Sequence, residues 1–261
     1  MTTTVTTWLE PPAQMRLDNN QVHIWCFSLD QPLKRIAQLA ELLSRSERER
    51  ANRFVFDKDR RHFTTARASL RLILSRYVQT TAQQLRFRYS AHGKPELTGG
   101  NDGSLQFNLS HSHSMALVAV ACDSRVGVDV EWVRPLDDMD AIAKRFFSRV
   151  EYEAYSALPT NQRAIGFFNC WTRKEAYIKA IGEGLSCPLA SFDVSLSPGQ
   201  PAKLLGINED RQAAEAWFME AMTPVSGYVG AVVIERQTVD ISYWQGNESL
   251  FNLQGIYSAD R

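Results

Sequence analysis

Apolar residues crowd every side of one segment, residues 164–187, where Ile165, Phe168, Cys170, Trp171, Ala176, Tyr177, Ile178, Ala180 and Ile181 surround the axis of a helix. A helix that is apolar nearly all round belongs in a core, and Gly182 and Gly184 stand where it should end. Yet Glu175 and Lys179 lie one turn apart on a single face. Buried charges are costly unless they are paired with each other, a metal or an ionic ligand. Taken alone, such a pair is most often a solvated surface contact contributing only ~0.3–0.5 kcal/mol.

The rest of the pattern alternates strands with helices. Residues 21–29 read as a strand broken by Gln31-Pro32. Ser46 and Glu49 match a capping box and predict a short helix to about Phe54. Asp57 opens a longer one through about Val78, with Phe63, Ala66, Leu70, Ile73, Leu74 and Tyr77 as its apolar stripe. A short strand at 85–89, a turn at 92–95, a Gly- and Asp-rich loop at 98–104 and a strand at 105–109 follow. The apolar run 115–121 reads as a buried strand, and Asp123-Ser-Arg turns it into 126–131, which predicts a hairpin.

This order recurs loosely. Arg145-Phe146 echoes Arg53-Phe54, and strands at 192–196, 217–220, 228–234 and 239–244 follow the second set of helices. The recurrence predicts an α+β fold of two similar, pseudo-symmetric halves, an N-terminal lobe over 1–125 and a C-terminal lobe over 126–261, with a site at their seam. Residues 1–20 read as a loose leader, and the tail after about 245 as peripheral.

Composition narrows the function. The chain of 261 residues is 44% hydrophobic, enough for a substantial core. Its 29 Lys+Arg balance 29 Asp+Glu, which gives a nucleic-acid role no support. Charge is uneven, however: residues 41–80 hold ten Lys/Arg against five acids, a stretch suited to an anion. No run approaches the ~18–20 apolar residues of a membrane span, and the N-terminus lacks a signal-peptide pattern, so a cytoplasmic, membrane-free protein is expected. Cys26, Cys122, Cys170 and Cys187 form no Cys-x-x-Cys and read as reduced thiols.

Asp129 and Glu131 alternate with Val128, Val130 and Trp132, so on a strand both carboxylates leave one face. With Glu175 they make three hard oxygen donors of the kind Mg²⁺ uses, leaving positions for phosphate oxygens. Lys179 would then be a point charge for a phosphate, and Ser110 and His111, at a strand end, could hold another. His113 reads as structural. The His92-Gly-Lys-Pro95 turn offers Lys94, or is a plain surface turn.

Gly93-Lys-Pro, Phe107-Asn-Leu-Ser-His111, Gly127-Val-Asp-Val-Glu131, Arg145-Phe-Phe and Trp171-Thr-Arg-Lys-Glu-Ala-Tyr-Ile-Lys179 occur in that order. Over roughly residues 45–195 the chain resembles the Sfp-type 4′-phosphopantetheinyl transferases, the two-lobed, monomeric branch of their superfamily. The resemblance implies that fold, and transfer of the phosphopantetheine arm of coenzyme A to a serine of an apo acyl or peptidyl carrier protein, releasing adenosine 3′,5′-bisphosphate. It implies a metal site of Asp129, Glu131 and Glu175 for Mg²⁺, with Mn²⁺ the alternative ion. Catalysis would fall to Asp129, to Glu175 as base and to Lys179 on the pyrophosphate. Lys94, Ser110 and His111 would hold the nucleotide, with Lys174 nearby, and Arg50 and Arg53 are candidates for the 3′-phosphate beside Arg48, Arg60 and Arg61. Glu47 departs from relatives with Lys at that place. The competing class is a non-catalytic module that binds coenzyme A or a carrier protein.

Overall fold

In the computed structural model, which describes residues 5–78, 80–98, 104–246 and 248–251, the first half runs β1 (Gln21–Ser28), α1 (Leu33–Ala40), α2 (Arg45–Ala51), α3 (Asp57–Ser75), β2 (Arg86–Tyr89), β3 (Pro95–Thr98), β4 (Leu105–Ser112) and β5 (Met115–Cys122). The second runs β6 (Val126–Trp132), α4 (Met139–Phe146), α5 (Arg149–Ser156), α6 (Thr160–Ile181), β7 (Phe192–Val194), β8 (Leu204–Ile207), α7 (Arg211–Ala214), β9 (Phe218–Met222), β10 (Tyr228–Ile234), β11 (Asp240–Gln245) and α8 (Glu248–Phe251). The apolar helix is α6: it begins after Pro159 and ends where Gly182 takes a left-handed φ of 79°.

Of the two larger sheets one has the order β11-β1-β5-β4 and the other β6-β10-β9; β2 with β3 and β7 with β8 form two small ones. The expected hairpin of β5 with β6 does not form. β5 turns instead with β4, through His113-Ser114, and β6 crosses to pair antiparallel with β10. Val126, Val128 and Val130 are fully buried there. At Gly127 the backbone of α6 comes so close that a Cβ would stand 2.0 Å from the Ala176 carbonyl oxygen, so only glycine fits.

Three cores result. Trp25, Phe27, Leu70, Ile73, Phe107 and Val118 fill the first half, and Phe147, Phe167, Phe168, Cys170, Tyr177 and Val233 the second. Ile24, Leu117, Ala119, Val128, Val130 and Val232 fill a third, between the two sheets. β11 pairs parallel with β1, from Gln21 opposite Asp240 to Cys26 opposite Gln245. The last strand of the second half therefore completes the first half's sheet, and Leu250 and Phe251 of α8 enter the first core. The tail is thus not peripheral as far as Phe251; residues 252–261 lie outside the described residues, as do 99–103 of the Gly/Asp-rich loop. Nor is the leader loose from residue 5 on, residues 1–4 lying outside the described residues: Leu9 exchanges backbone hydrogen bonds with Tyr243 and Gln245, and the Trp8 indole donates to the Pro224 carbonyl.

Each half carries the same buried device. The capping box of α2 is Ser44 with Glu47, not Ser46 with Glu49: Ser44 N–H donates to Glu47 Oε2 at 2.9 Å, and Glu47 N–H to Ser44 Oγ at 3.3 Å. Both serines have the required spacing, but Glu47 is also gripped by Arg67 and Arg71 of α3, each at 2.7 Å. Arg71 then donates to the carbonyls of Ala82 and Leu85, just before β2. In the second half Ser148 and Glu151 cap α5, Glu151 pairs with Lys174 of α6 at 2.8 Å, and Lys174 donates to the carbonyls of Leu189 and Phe192 at the start of β7. All four cysteines are free thiols.

Candidate active site

The two halves meet where β4, β6 and α6 run side by side. Alternation on β4 turns Asn108, Ser110 and Ser112 to one face, and each meets β6 although the strands belong to different sheets. Asn108 Oδ1 accepts from Val128 N–H at 2.9 Å, Ser110 Oγ donates to Asp129 Oδ1 at 2.7 Å, and Ser112 Oγ donates to Glu131 Oε2 at 2.6 Å. Ser112 was missed in the sequence reading, though its spacing from Ser110 matches that of Glu131 from Asp129.

Lys179 closes the site from α6. Its Nζ donates to Asp129 Oδ1 at 2.6 Å and to Ser110 Oγ at 2.9 Å. The helix therefore does not pair Lys179 with Glu175, as the one-turn spacing suggested; the lysine reaches across to β6. Glu175 makes no hydrogen bond or ion pair among the described residues. Burial, then the negative charges of Asp129 and Glu131, raise the Glu175 carboxyl above the ordinary value, with Lys179 opposing. Glu131 is raised too, by burial and by Asp129, against its bond from Ser112.

Asp129 is 4% exposed, and its Oδ2 is buried with no partner. A buried carboxylate oxygen left without a donor is costly, and a hard cation would satisfy it. Among the described residues no three His, Cys, Asp or Glu groups stand close enough to grip an ion as placed; Glu131 is turned onto Ser112 and Asp129 Oδ1 onto Lys179. The orphaned oxygen and the all-oxygen donor set nevertheless fit a Mg²⁺-type ion in their chemistry.

Two sequence models of one family match in succession: "4′-phosphopantetheinyl transferase, N-terminal" over residues 31–124 and "4′-phosphopantetheinyl transferase superfamily" over residues 125–233. The chain is 42% identical over 239 residues to the 4′-phosphopantetheinyl transferase HetI of Nostoc sp., spanning 91% of this chain and 98% of that one. It belongs to the 4′-phosphopantetheinyl transferase superfamily. It is also 37% identical to the transferase psf-1 of Bacillus pumilus, over 66% of this chain and 71% of that one, and 33% identical to Sfp of Bacillus subtilis, over 66% and 76%.

Not every expected residue of this transferase reaches the seam. Lys174, expected near the nucleotide, is fully buried against Glu151 and two carbonyls and belongs to the second core. Lys94 spans the seam, but its Nζ is spent on the carbonyls of Val126, Lys179 and Ala180; it ties the β2–β3 hairpin to the end of α6. Glu47 is the buried capping residue of α2, paired with Arg67 and Arg71. Arg50 and Arg53 are exposed, and Arg50 lies over the Phe63 ring at 5.3 Å.

His111 is exposed at the strand end. The surrounding protein, then the positive charges of Lys179 and His62, hold its imidazole below the ordinary value, with Asp129 opposing. His62 of α3, whose Nε2 lies 2.8 Å from Asp30 Oδ1, is a second neighbour the sequence pattern gave no reason to single out.

A raised folded-state pKa means that an ionised Glu175 opposes folding: that cost is absent below the unfolded pKa and complete once pH passes the folded one. In metal-free protein at pH 7, Glu175→Gln is therefore expected to melt at a higher temperature than the wild type, and the gap to close in acid, where both side chains are neutral. A lower melting temperature in calorimetry at pH 7 would show that Glu175 is not held against its preference.

Proposed function

We propose that this transferase moves the 4′-phosphopantetheine arm of coenzyme A to a serine of an apo acyl or peptidyl carrier protein, releasing adenosine 3′,5′-bisphosphate. The observation that carries the reading is the junction of Lys179, Asp129 and Ser110 beside an unpaired, half-buried Glu175. The carrier serine oxygen forms a bond to the phosphorus that bears the pantetheine arm, and the phosphoanhydride bond to the nucleotide breaks. Glu175 is placed to take the serine proton, and its raised pKa makes it a stronger base than an ordinary glutamate. Lys179 offers its ammonium to the oxygens that gain charge as the anhydride opens. Ser110 keeps Lys179 and Asp129 in register.

Asp129, Glu131 and Glu175 would hold Mg²⁺ or Mn²⁺, which supplies neutralising charge for the pyrophosphate when bound. Lobes 1–125 and 126–261, which share β11, would then divide recognition of the nucleotide from chemistry, in a monomer of the cytoplasm. No helix among the described residues is long and apolar enough to cross a membrane. A purely binding module would gain nothing from an unpaired, half-buried base beside an orphaned carboxylate oxygen.

Incubation with coenzyme A, Mg²⁺ and a panel of apo carriers tests the reading by mass spectrometry. Addition of phosphopantetheine to a carrier serine is expected; coenzyme A binding without modification of any carrier would leave only the binding module. Lys179→Ala is expected to lower kcat about a hundredfold or more with a smaller change in KM, because its charge matters most as the bond breaks. A raised KM at unchanged kcat would make Lys179 a simple binding lysine. Dephospho-coenzyme A is expected to bind more weakly than coenzyme A in calorimetry at low salt, with a gap that narrows in His111→Ala and at high salt. Equal affinities in the wild type would assign Arg50, Arg53 and His111 to something other than the 3′-phosphate.

A further inference from the structure

Four cations are buried among the described residues: Arg67, Arg71, Arg173 and Lys174. Three of them hold a buried carboxylate, Arg67 and Arg71 on Glu47 and Lys174 on Glu151. Arg173, only 2% exposed, holds none. Its Nη1 donates to the carbonyl and the hydroxyl of Ser195, at 2.5 and 3.1 Å, while its buried Nε has no partner. Arg67 directs its own Nε and Nη2 at Glu47; the matching edge of Arg173 meets no carboxylate among the described residues. Burial pushes this guanidinium down to about 10, with only the Cys170 thiol opposing.

A buried, uncompensated charge is expensive, and what would compensate it must come from the adjoining space. Arg173 lines a cleft of about 1220 Å³ between α6, β9–β10 and the segment around β8. Ile165, Asn169 and Arg173, successive turns of α6, form one wall, with Val133, Met219 and Val229 among the apolar groups around it and Lys203, Arg211, Glu215 and Glu220 as the other charged residues of the lining. The Asn169 side chain is fixed by donation to the Leu196 carbonyl at 3.1 Å. The volume lies somewhat above the ~300–1,000 Å³ of small-molecule sites, so a ligand of that class would fill part of it. Asp129, Glu131, Glu175 and Lys179 are not part of its walls.

We propose that this cleft binds a small apolar carboxylic acid as its anion, with Arg173 taking the carboxylate and the apolar wall the hydrocarbon body. Lys203 and Arg211 balance Glu215 and Glu220 in the lining, which leaves the one charge of Arg173 for one negative charge, and the fork of an arginine matches a carboxylate in shape.

The test compares octanoate with octanol, which differ in the head group alone, by calorimetry on the full chain with no coenzyme A or carrier present, so that its outcome is independent of transfer. Octanoate is expected to bind at one site at least about tenfold more tightly than octanol, the worth of a hydrogen-bonded charge. Arg173→Met should remove that preference, and Ile165→Trp, which narrows the cleft but keeps the guanidinium, should weaken octanoate. Equal affinity for the two probes, no saturable binding, or octanoate binding unchanged in Ile165→Trp would each overturn the proposal. Should Arg173→Met fail to fold by circular dichroism, the wild-type comparison and Ile165→Trp decide.

Discussion

Asp129→Ala is expected to lose about a thousandfold or more of the transfer rate while its fold persists. Both halves of that expectation come from one atom pair. Oδ1 receives Lys179 and Ser110 together, so its removal frees the lysine proposed to act on the anhydride oxygens. Oδ2 is buried without a partner, so its removal takes away a group that costs the fold energy. Loss of the Asp129 charge also removes one of the causes that raise Glu131 and Glu175, and both should titrate lower in the variant. Single-turnover labelling of a carrier measures the first effect, and thermal melting the second. A near-normal rate with Mg²⁺ would remove Asp129 from the chemistry.

Glu151→Ala is expected to destabilise the chain by roughly 3–5 kcal/mol, the usual consequence of breaking a buried ion pair from one side. Lys174, with no solvent exposure, would be left with two carbonyls and the Phe192 ring as partners and no carboxylate. The variant also loses the cap on Ser148 and the acceptor of the Val194 N–H at 2.7 Å. Adding Lys174→Met should recover part of the loss, because it removes the stranded charge but not the lost cap. Urea denaturation of the two variants measures this. A loss under about 1 kcal/mol, the worth of an exposed pair, would mean that water reaches the pair.

Local pattern made the site's two chief elements legible. Alternation alone placed Asp129 and Glu131 on one face of β6, and the apolar surround of α6 marked Glu175 and Lys179 as charges in the wrong place. What pattern could not carry was the partner of each element. The stretch 126–131 has the same alternation whether it pairs with β5 or β10, so neither its pairing with β10 nor the close approach of α6 at Gly127 is written in that pattern. Ser44 and Ser46 both satisfy the capping spacing; two arginines twenty or more residues away on α3 choose between them. Lys174 adjoins Glu175 in sequence, but neighbours on a helix stand about 100° apart and face different surroundings, so one enters the core and the other the seam.

The parallel pairing of β1 with β11 has a consequence for biosynthesis. On the ribosome β1 emerges early with its apolar residues and both edges bare, while the neighbour that covers one edge is synthesised only after β10. The first sheet cannot close during most of translation, and such long-range pairing is slow to form. An open edge on a buried-type strand is also what other chains pair with, so a nascent chain stalled before Asp240 should be prone to association with its own kind and a natural client for chaperones.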